Sequence, residues 1–245
     1  MKRGLKSLLA GAALVAPLLA GGPALAQPTL QLDILNGVYD DTTDTIVATS
    51  DQFTLYALLI PDQDTTLADT FYISAAITPK VGPANSDLGS FTFNGTTIDV
   101  TADMVYGTAP IEADLTHDPG DLPKHGIFET FYTEFAFTFD PNNTALAYNT
   151  QDDAGQGPTP DANGTMYFED FLVDVSGLDS PYRIHFDAYT KIAVNGDIDI
   201  EEFVPPSHDA ESGVGNGDHR VPEPGTMALL GAALCMGAVV RRYRL

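Results

Sequence analysis

The chain has 245 residues, of which 34 are acidic and 11 are basic, so its formal net charge at pH 7 is −23. Such a negative surface repels nucleic acid and anionic lipid headgroups, which excludes both as partners recruited by charge. The single cysteine has no second cysteine for an intramolecular disulfide, so stability has to come from packing or from bound cations.

Residues 1–26 have the three parts of a secretory signal peptide. Three basic residues among the first six precede an apolar run from Leu8 to Ala20, and the small residues Ala24 and Ala26 provide a cleavage site before Gln27. We therefore predict that signal peptidase removes residues 1–26 during export. The mature region, 27–220, keeps 33 of the acidic residues but five of the basic ones, which gives a net charge of about −28.

Apolar and polar residues alternate along most of the mature region, which is the pattern of β-strands. The first predicted strands cover Leu30–Leu35, Thr45–Ala48, Phe53–Ile60 and Thr70–Ile77. The segment Phe53–Ile60 is apolar on both faces, which indicates a central strand that is covered on both sides.

A β-hairpin is predicted where Ser90–Phe93 meets Thr97–Val100. The connecting pair Asn94-Gly95 suits a two-residue type I′ turn because both positions require a positive φ. Asparagine and glycine adopt this backbone conformation at little steric cost.

Three further strands are predicted at Phe131–Phe139, Thr165–Val175 and Tyr182–Val194. The last has one apolar face and one polar face that we expect to be solvated; the polar face comprises Arg183, His185, Asp187, Tyr189 and Lys191. Eight or more short strands without an amphipathic helix predict an all-β fold. We expect a single two-sheet antiparallel β-sandwich, jelly-roll or Ig-like, over residues 27–204.

Two long loops, residues 101–126 and 141–164, contain many side chains that can bind metal ions. For the first loop, a metal site and ordinary surface polarity are alternative interpretations of Asp114, His117, Asp118, Asp121 and His125. Extracellular sandwiches often use calcium to hold acidic loops, because a hard cation takes several oxygen ligands and relieves their repulsion. The candidate calcium ligands are Asp152, Asp153, Asp161, Asp197, Asp199 and Glu201.

The mature region has no Gly-x-Ser-x-Gly elbow and no His-Glu-x-x-His helix, which favours a non-enzymatic protein. Ser207, His208 and Asp209 are the residue types of a catalytic triad, but their adjacent positions in a predicted spacer indicate coincidence. A calcium-assisted glycan-binding module, with Tyr189 as an exposed stacking platform, and a hydrolase with an unfamiliar site remain alternatives. The lack of tryptophan counts against the glycan-binding alternative.

Residues 205–220 are rich in Gly, Ser and Asp and are predicted to form a flexible acidic spacer. The remaining residues, 221–245, combine a Pro-Glu-Pro triplet, an apolar membrane segment at 227–240 and a terminal arginine cluster. As a helix the apolar segment is about 21 Å long, against about 30 Å of bilayer hydrocarbon. We therefore expect transient anchoring in the inner membrane, with Cys235 as a small apolar filler.

This terminus resembles the PEP-CTERM sorting signal of Gram-negative bacteria, in which the same three parts occur in the same order. The resemblance implies that an exosortase, a membrane-embedded cysteine protease or transpeptidase, recognises Pro222, Glu223 and Pro224 and cuts near them. None of these three residues would itself be catalytic.

The mature region also resembles the choice-of-anchor N family, notably at Ile46–Asp51, Asp87–Phe91 and Leu122–Phe128. Families of this kind pair an exported domain with alternative sorting tails, and this one has no assigned activity. The two resemblances imply a surface or extracellular-matrix protein, with extracellular polysaccharide as a candidate partner.

Overall fold

The computed structural model describes residues 27–85, 87–108, 128–194 and 197–213. The predicted signal peptide, the apolar segment 227–240 and the sorting triplet lie outside these residues. The sorting triplet consists of Pro222, Glu223 and Pro224. Cys235 and the candidate metal ligands of the first loop also lie outside the described residues; these ligands are Asp114, His117, Asp118, Asp121 and His125. No helix within the described ranges is long and apolar enough to cross a membrane.

The described chain is built almost entirely from strands. In chain order these are β1 (Leu30–Ile34), β2 (Val38–Asp40), β3 (Thr45–Val47), β4 (Gln52–Leu59), β5 (Phe71–Thr78), β6 (Ser90–Phe93), β7 (Thr96–Asp99), β8 (Val105–Gly107), β9 (Thr130–Phe137), β10 (Thr144–Ala145), β11 (Met166–Asp174), β12 (Arg183–Val194), β13 (Asp197–Phe203) and β14 (Ala210–Glu211). A four-residue helix, α1 (Val100–Asp103), follows β7, and a 3-10 turn at Pro206–His208 precedes β14.

The strands form two sheets. The first has the order β1-β4-β11-β6-β7, with β10 beside β11; the second has the order β2-β3-β14-β12-β5-β9-β8, with β13 beside β12. Neighbouring strands are antiparallel, except that β14 runs parallel to β3, so the second sheet is mixed. The predicted purely antiparallel arrangement is corrected at this one pair.

The two sheets pack face to face around one apolar core. Phe53 of the first sheet meets Phe186 of the second edge to face, with 6.2 Å between ring centroids. Phe93 of the first sheet stacks on Phe135 of the second at 4.0 Å. Aromatic pairs in these orientations add to the stabilisation from burial alone. The predicted two-sheet β-sandwich is therefore confirmed.

Each strand predicted from alternation is present, with ends shifted by at most two residues. The hairpin joins β6 to β7 at Asn94 and Gly95, whose φ angles are 48° and 76°, as a type I′ turn requires. The segment Gln52–Leu59 lies between β1 and β11 in the first sheet, which confirms its prediction as a central strand.

The polar face of β12 is buried, so the prediction that it is solvated is wrong. His185, Asp187 and Tyr189 are all less than a tenth exposed. The strand lies in the middle of the second sheet, and polar side chains from other strands of that sheet, such as Glu211 and Glu134, face it. Alternation in the sequence reports which side chains are polar, and it carries no information on whether polar groups cover one another.

The predicted end of the domain at residue 204 is corrected, because the fold continues to at least Gly213. Within the segment predicted as a spacer, β14 pairs with both β3 and β12. Ser212 extends this pairing, since its backbone N–H donates to the Ile184 carbonyl at 2.8 Å. Asp209 and Ala210 are buried. A two-residue strand is too short to leave a periodic signal in the sequence.

The second predicted loop packs against the outer face of the first sheet. Ala145 and Met166 form a small second core there with Leu58, and Tyr56 and Phe168 pack around it. Beside this core, the Asp33 carboxylate accepts four hydrogen bonds, three of them from Tyr148, Gly155 and Gly157 of the loop. The loop is thus tied to β1.

Candidate metal centre

Four ionisable side chains share the outer face of the second sheet where β12 meets the last strand. The strand register places His185 opposite Glu211 and Phe186 opposite Ala210. Asp209 directly precedes β14, and its carboxylate lies within 4.8 Å of the Asp187 carboxylate. Because side chains alternate along a strand, these four residues face away from the core that Phe186 and Ala210 enter.

Three of them bring their ligand atoms together. His185 Nε2 lies 3.5 Å from Asp187 Oδ2 and 3.5 Å from Asp209 Oδ2. One ligand atom from each residue falls within 4.8 Å of the others, and all three residues are buried. The three ligand atoms are therefore close enough to one another to contact a common point.

Glu211 lies on the other side of the imidazole and is held in place. Its Oε2 is 3.9 Å from His185 Nδ1. Arg183 Nη1 donates to Glu211 Oε1 at 2.7 Å, and the Thr78 hydroxyl donates to Oε2 at 3.2 Å. The two nitrogens of His185 thus face different carboxylates, Nδ1 towards Glu211 and Nε2 towards the aspartates.

The electrostatics of this cluster favour positive charge. Burial disfavours the charged imidazole, but the carboxylates of Asp187, Asp209 and Glu211 outweigh it and raise the pKa of His185 to about 9. Burial also raises the pKa of Asp209 to about 8, although His185 opposes this. Buried carboxylates at such close range need compensating positive charge, from protons or from a bound cation.

The donor set is chemically suited to a divalent metal ion. An imidazole nitrogen with two carboxylate oxygens matches the ligands that zinc and other first-row metals take in proteins. Calcium prefers six to eight oxygen ligands and rarely uses imidazole. The arrangement could therefore hold a transition metal ion.

The calcium candidates predicted from the sequence are not gathered in this way. Asp152, Asp153 and Glu201 are exposed, and Asp161 and Asp199 are partly buried. Asp161 Oδ1 accepts from the backbone N–H of Asn163 at 2.8 Å, as in a turn. Within the described ranges none of the five belongs to a cluster of three or more ligand groups, and the side chain of Asp197 lies outside the description. Calcium binding there stays a prediction.

Ser207, His208 and Asp209 do not form a catalytic triad. Burial lowers the pKa of His208 to about 4, so its ring is neutral. Its Nδ1 lies 2.8 Å from the Ser207 hydroxyl, and its Nε2 lies 3.0 Å from Asn149 Oδ1. The Asp209 carboxylate lies instead beside His185.

This cluster is not among the sites predicted from the sequence, although one signal for it is present. His185 and Asp187 are two positions apart on a strand, a spacing that puts both ligands on one face. The alternation of β12 predicts a solvated face for them, and the composition of residues 205–220 predicts a spacer at Asp209. Tyr189, the predicted stacking platform, is also buried, and its hydroxyl donates to Glu134. It therefore cannot present an exposed ring to a sugar.

The C-terminus matches a known family model. Residues 220–244 match the model described as the PEP-CTERM protein-sorting motif. No curated protein and no solved structure matches the chain, so neither the jelly-roll nor the Ig-like subtype is assigned. The resemblance to the choice-of-anchor N family is not shown by these comparisons and stays a prediction. The chain thus carries a PEP-CTERM sorting motif, the mark of a protein that an exosortase sorts to the cell surface.

Proposed function

We propose that this protein is a non-enzymatic β-sandwich that is exported, cleaved near Pro222–Pro224 by an exosortase, and displayed on the cell surface or released into the extracellular matrix. The matched sorting motif carries this proposal. Transient anchoring in the inner membrane through residues 227–240 is part of it.

The position of the last strand supports cleavage without damage to the domain. β14 lies between β3 and β12, and the described fold reaches Gly213. The matched motif begins at residue 220, after this strand. The pairing and the core contacts of the sandwich therefore use residues that cleavage near the triplet would leave in the mature protein.

Processing can be tested by replacing one residue of the triplet. In a host with an active exosortase, Glu223→Ala should accumulate in the membrane fraction, whereas the wild type should reach the surface. Glu201→Ala is the matched control, because Glu201 is an exposed acid of the folded domain. Two results would contradict the proposal. One is equal surface delivery of both variants in the host with an active exosortase, and the other is undiminished surface delivery of the wild type in an exosortase-deficient strain.

The non-enzymatic assignment rests on the sequence, which lacks familiar catalytic motifs, and on the geometry around Ser207. Its hydroxyl lies beside a neutral, buried histidine whose other nitrogen faces an amide. A screen of ester, peptide and glycoside substrates with the purified protein is expected to find no turnover. Turnover that is lost in Ser207→Ala would establish the hydrolase alternative.

A second candidate function is glycan binding, which one cleft favours. This open cleft of about 550 Å³ lies beside β4 and β11 and is lined by Asn36, Thr54, Thr92 and other residues. Gln52 Nε2 donates to Asp174 Oδ2 at 2.8 Å on its wall, a planar pair of the kind that hydrogen-bonds sugar hydroxyls. Binding on a glycan array that is weakened by Gln52→Ala, but not by Gln63→Ala outside the cleft, would support it. Absence of binding would remove it.

A further inference from the structure

We propose that His185, Asp187 and Asp209 bind one divalent transition metal ion, with zinc as the best fit, and that this ion fastens the last strand to the second sheet. The inference is independent of the proposed function, since it concerns the folded domain and not its delivery.

The distances between the ligand atoms carry the first step. A zinc ion with ligands at about 2.0–2.1 Å in tetrahedral geometry places neighbouring ligand atoms about 3.4 Å apart. His185 Nε2 is 3.5 Å from each of the two aspartate oxygens. These two separations are close to those of ligands that share one ion, and the third pair of ligand atoms lies within 4.8 Å. Small side-chain rotations would complete the site.

The second nitrogen of His185 gives an independent observation. Histidines that bind metal usually present their other ring nitrogen to a carboxylate, which fixes the ring and its tautomer. His185 Nδ1 faces the Glu211 carboxylate at 3.9 Å, just beyond hydrogen-bond distance, so a carboxylate stands on the side of the ring where such a partner belongs. Glu211 is itself fixed by Arg183 and Thr78, so the partner of the imidazole is already oriented.

The backbone holds the three ligands rigidly. His185 and Asp187 lie on the central strand β12, which pairs with β5 along its first eight residues. The Asp209 carbonyl accepts from the Ile46 N–H at 3.1 Å, which fixes this residue beside β3. Sites on strands keep their ligands closer to a productive geometry than sites on loops.

The identity of the ion follows from the donors. One imidazole with two carboxylates, all buried, suits a small ion with four ligands and leaves one position for water. A calcium ion would need several further oxygens at about 2.3–2.6 Å. Glu211 is occupied by Arg183 and Thr78 and does not provide them readily.

Metal content of the full chain, purified in detergent, tests the proposal. The protein is treated with a chelator, loaded with Zn²⁺, and washed with excess Mg²⁺ and Ca²⁺ to displace ions from the acidic surface. One zinc per chain is expected to remain in the wild type and in His208→Gln. His208 is the matched control, a buried histidine that contacts Asn149 instead of the cluster. His185→Gln and Asp209→Asn should retain less than a tenth of this zinc.

Cobalt provides a readout that does not depend on a variant folding. Co²⁺ in the wild type should give the intense visible bands of a four-coordinate ion, and one equivalent of Zn²⁺ should abolish them. No stoichiometric metal in the washed wild type would overturn the proposal. Undiminished zinc in folded His185→Gln or Asp209→Asn, or the weak spectrum of six-coordinate surface Co²⁺, would overturn it as well.

Discussion

The Asp33 carboxylate joins the sandwich to the loop that covers the first sheet, and Asp33→Asn should loosen that loop. Asp33 Oδ1 accepts from the backbone N–H groups of Ile34 at 2.9 Å and Gly155 at 2.8 Å. Oδ2 accepts from the Gly157 N–H at 3.1 Å and the Tyr148 hydroxyl at 2.7 Å. Asparagine turns one of these oxygens into an NH₂ group that faces two donors.

The cost of this change can be worked out from the four donors. The Tyr148 hydroxyl can rotate and accept from the new NH₂, but the Gly157 N–H cannot. A buried N–H without a partner costs about 1–3 kcal/mol, and the remaining bonds lose the extra strength of a charged acceptor. Burial raises the pKa of Asp33, with the hydrogen bonds opposing it, so removal of the charge recovers part of the loss. The net destabilisation should be about 2 kcal/mol.

Chemical denaturation and hydrogen exchange together provide the assay. A loss of about 2 kcal/mol corresponds to a fall in Tm of about 4–8 °C for a domain of this size. The amides of Gly155 and Gly157 should exchange faster, while those of β4 and β5 stay protected. Asp41→Asn, an exposed aspartate, serves as the control and should change the stability little. A change below about 0.5 kcal/mol, which is typical of neutral surface substitutions, together with unchanged loop exchange would refute this reasoning.

Three further substitutions test other parts of the fold. Lys191→Met should cost about 3 kcal/mol by denaturation, because Glu134, which pairs with the Lys191 ammonium at 2.5 Å, would keep a buried charge with less compensation. Gly155→Ala should destabilise by about 2 kcal/mol or more, since its φ is +82° and a Cβ would lie 2.3 Å from the Gly37 carbonyl oxygen. Hydrogen bonds from Ser176 and Gln52 lower the pKa of Asp174, so it stabilises the fold above the unfolded pKa and less as pH falls through the folded pKa. Stability curves of the wild type and Asp174→Asn should therefore differ at pH 6 and approach each other as the pH falls below 3.8 and through the folded pKa.

The strands could be predicted because their physical basis is local. Phe53–Ile60 is apolar on both faces, and a strand of that kind needs cover on both sides wherever it lies in a sheet. Asn94-Gly95 determines its turn through the two backbone angles that these residues accept. Neither inference depends on distant parts of the chain, and the structure agrees with both.

The candidate metal centre could not be predicted, because it depends on a pairing distant in sequence. From the sequence alone, His185 and Asp187 are predicted to be solvated. They are covered in the structure because β14 brings Glu211, and the preceding residue Asp209, beside them. That strand has two residues, so no alternation marks it. The composition of residues 205–220 predicts a flexible spacer, whereas the Ser212 N–H donates a backbone hydrogen bond to the Ile184 carbonyl in the sheet.

The packing of the loop at 141–164 could not be predicted for a related reason. Its sequence indicates a long polar loop with candidate calcium ligands, and Tyr148 and Ala145 pack on the outer face of the first sheet. The residue that anchors it, Asp33, lies within the first strand and reads as one of its polar positions. A buried carboxylate with four donors is a tertiary feature, so the local pattern cannot reveal it.

The most direct test of the central claim is the intact mass of the protein recovered from the cell surface of a host with an active exosortase. The account predicts a chain that begins at Gln27, retains β14 and ends near Pro222–Pro224 without the terminal arginine cluster. Recovery of surface protein that still ends at Leu245 would contradict it.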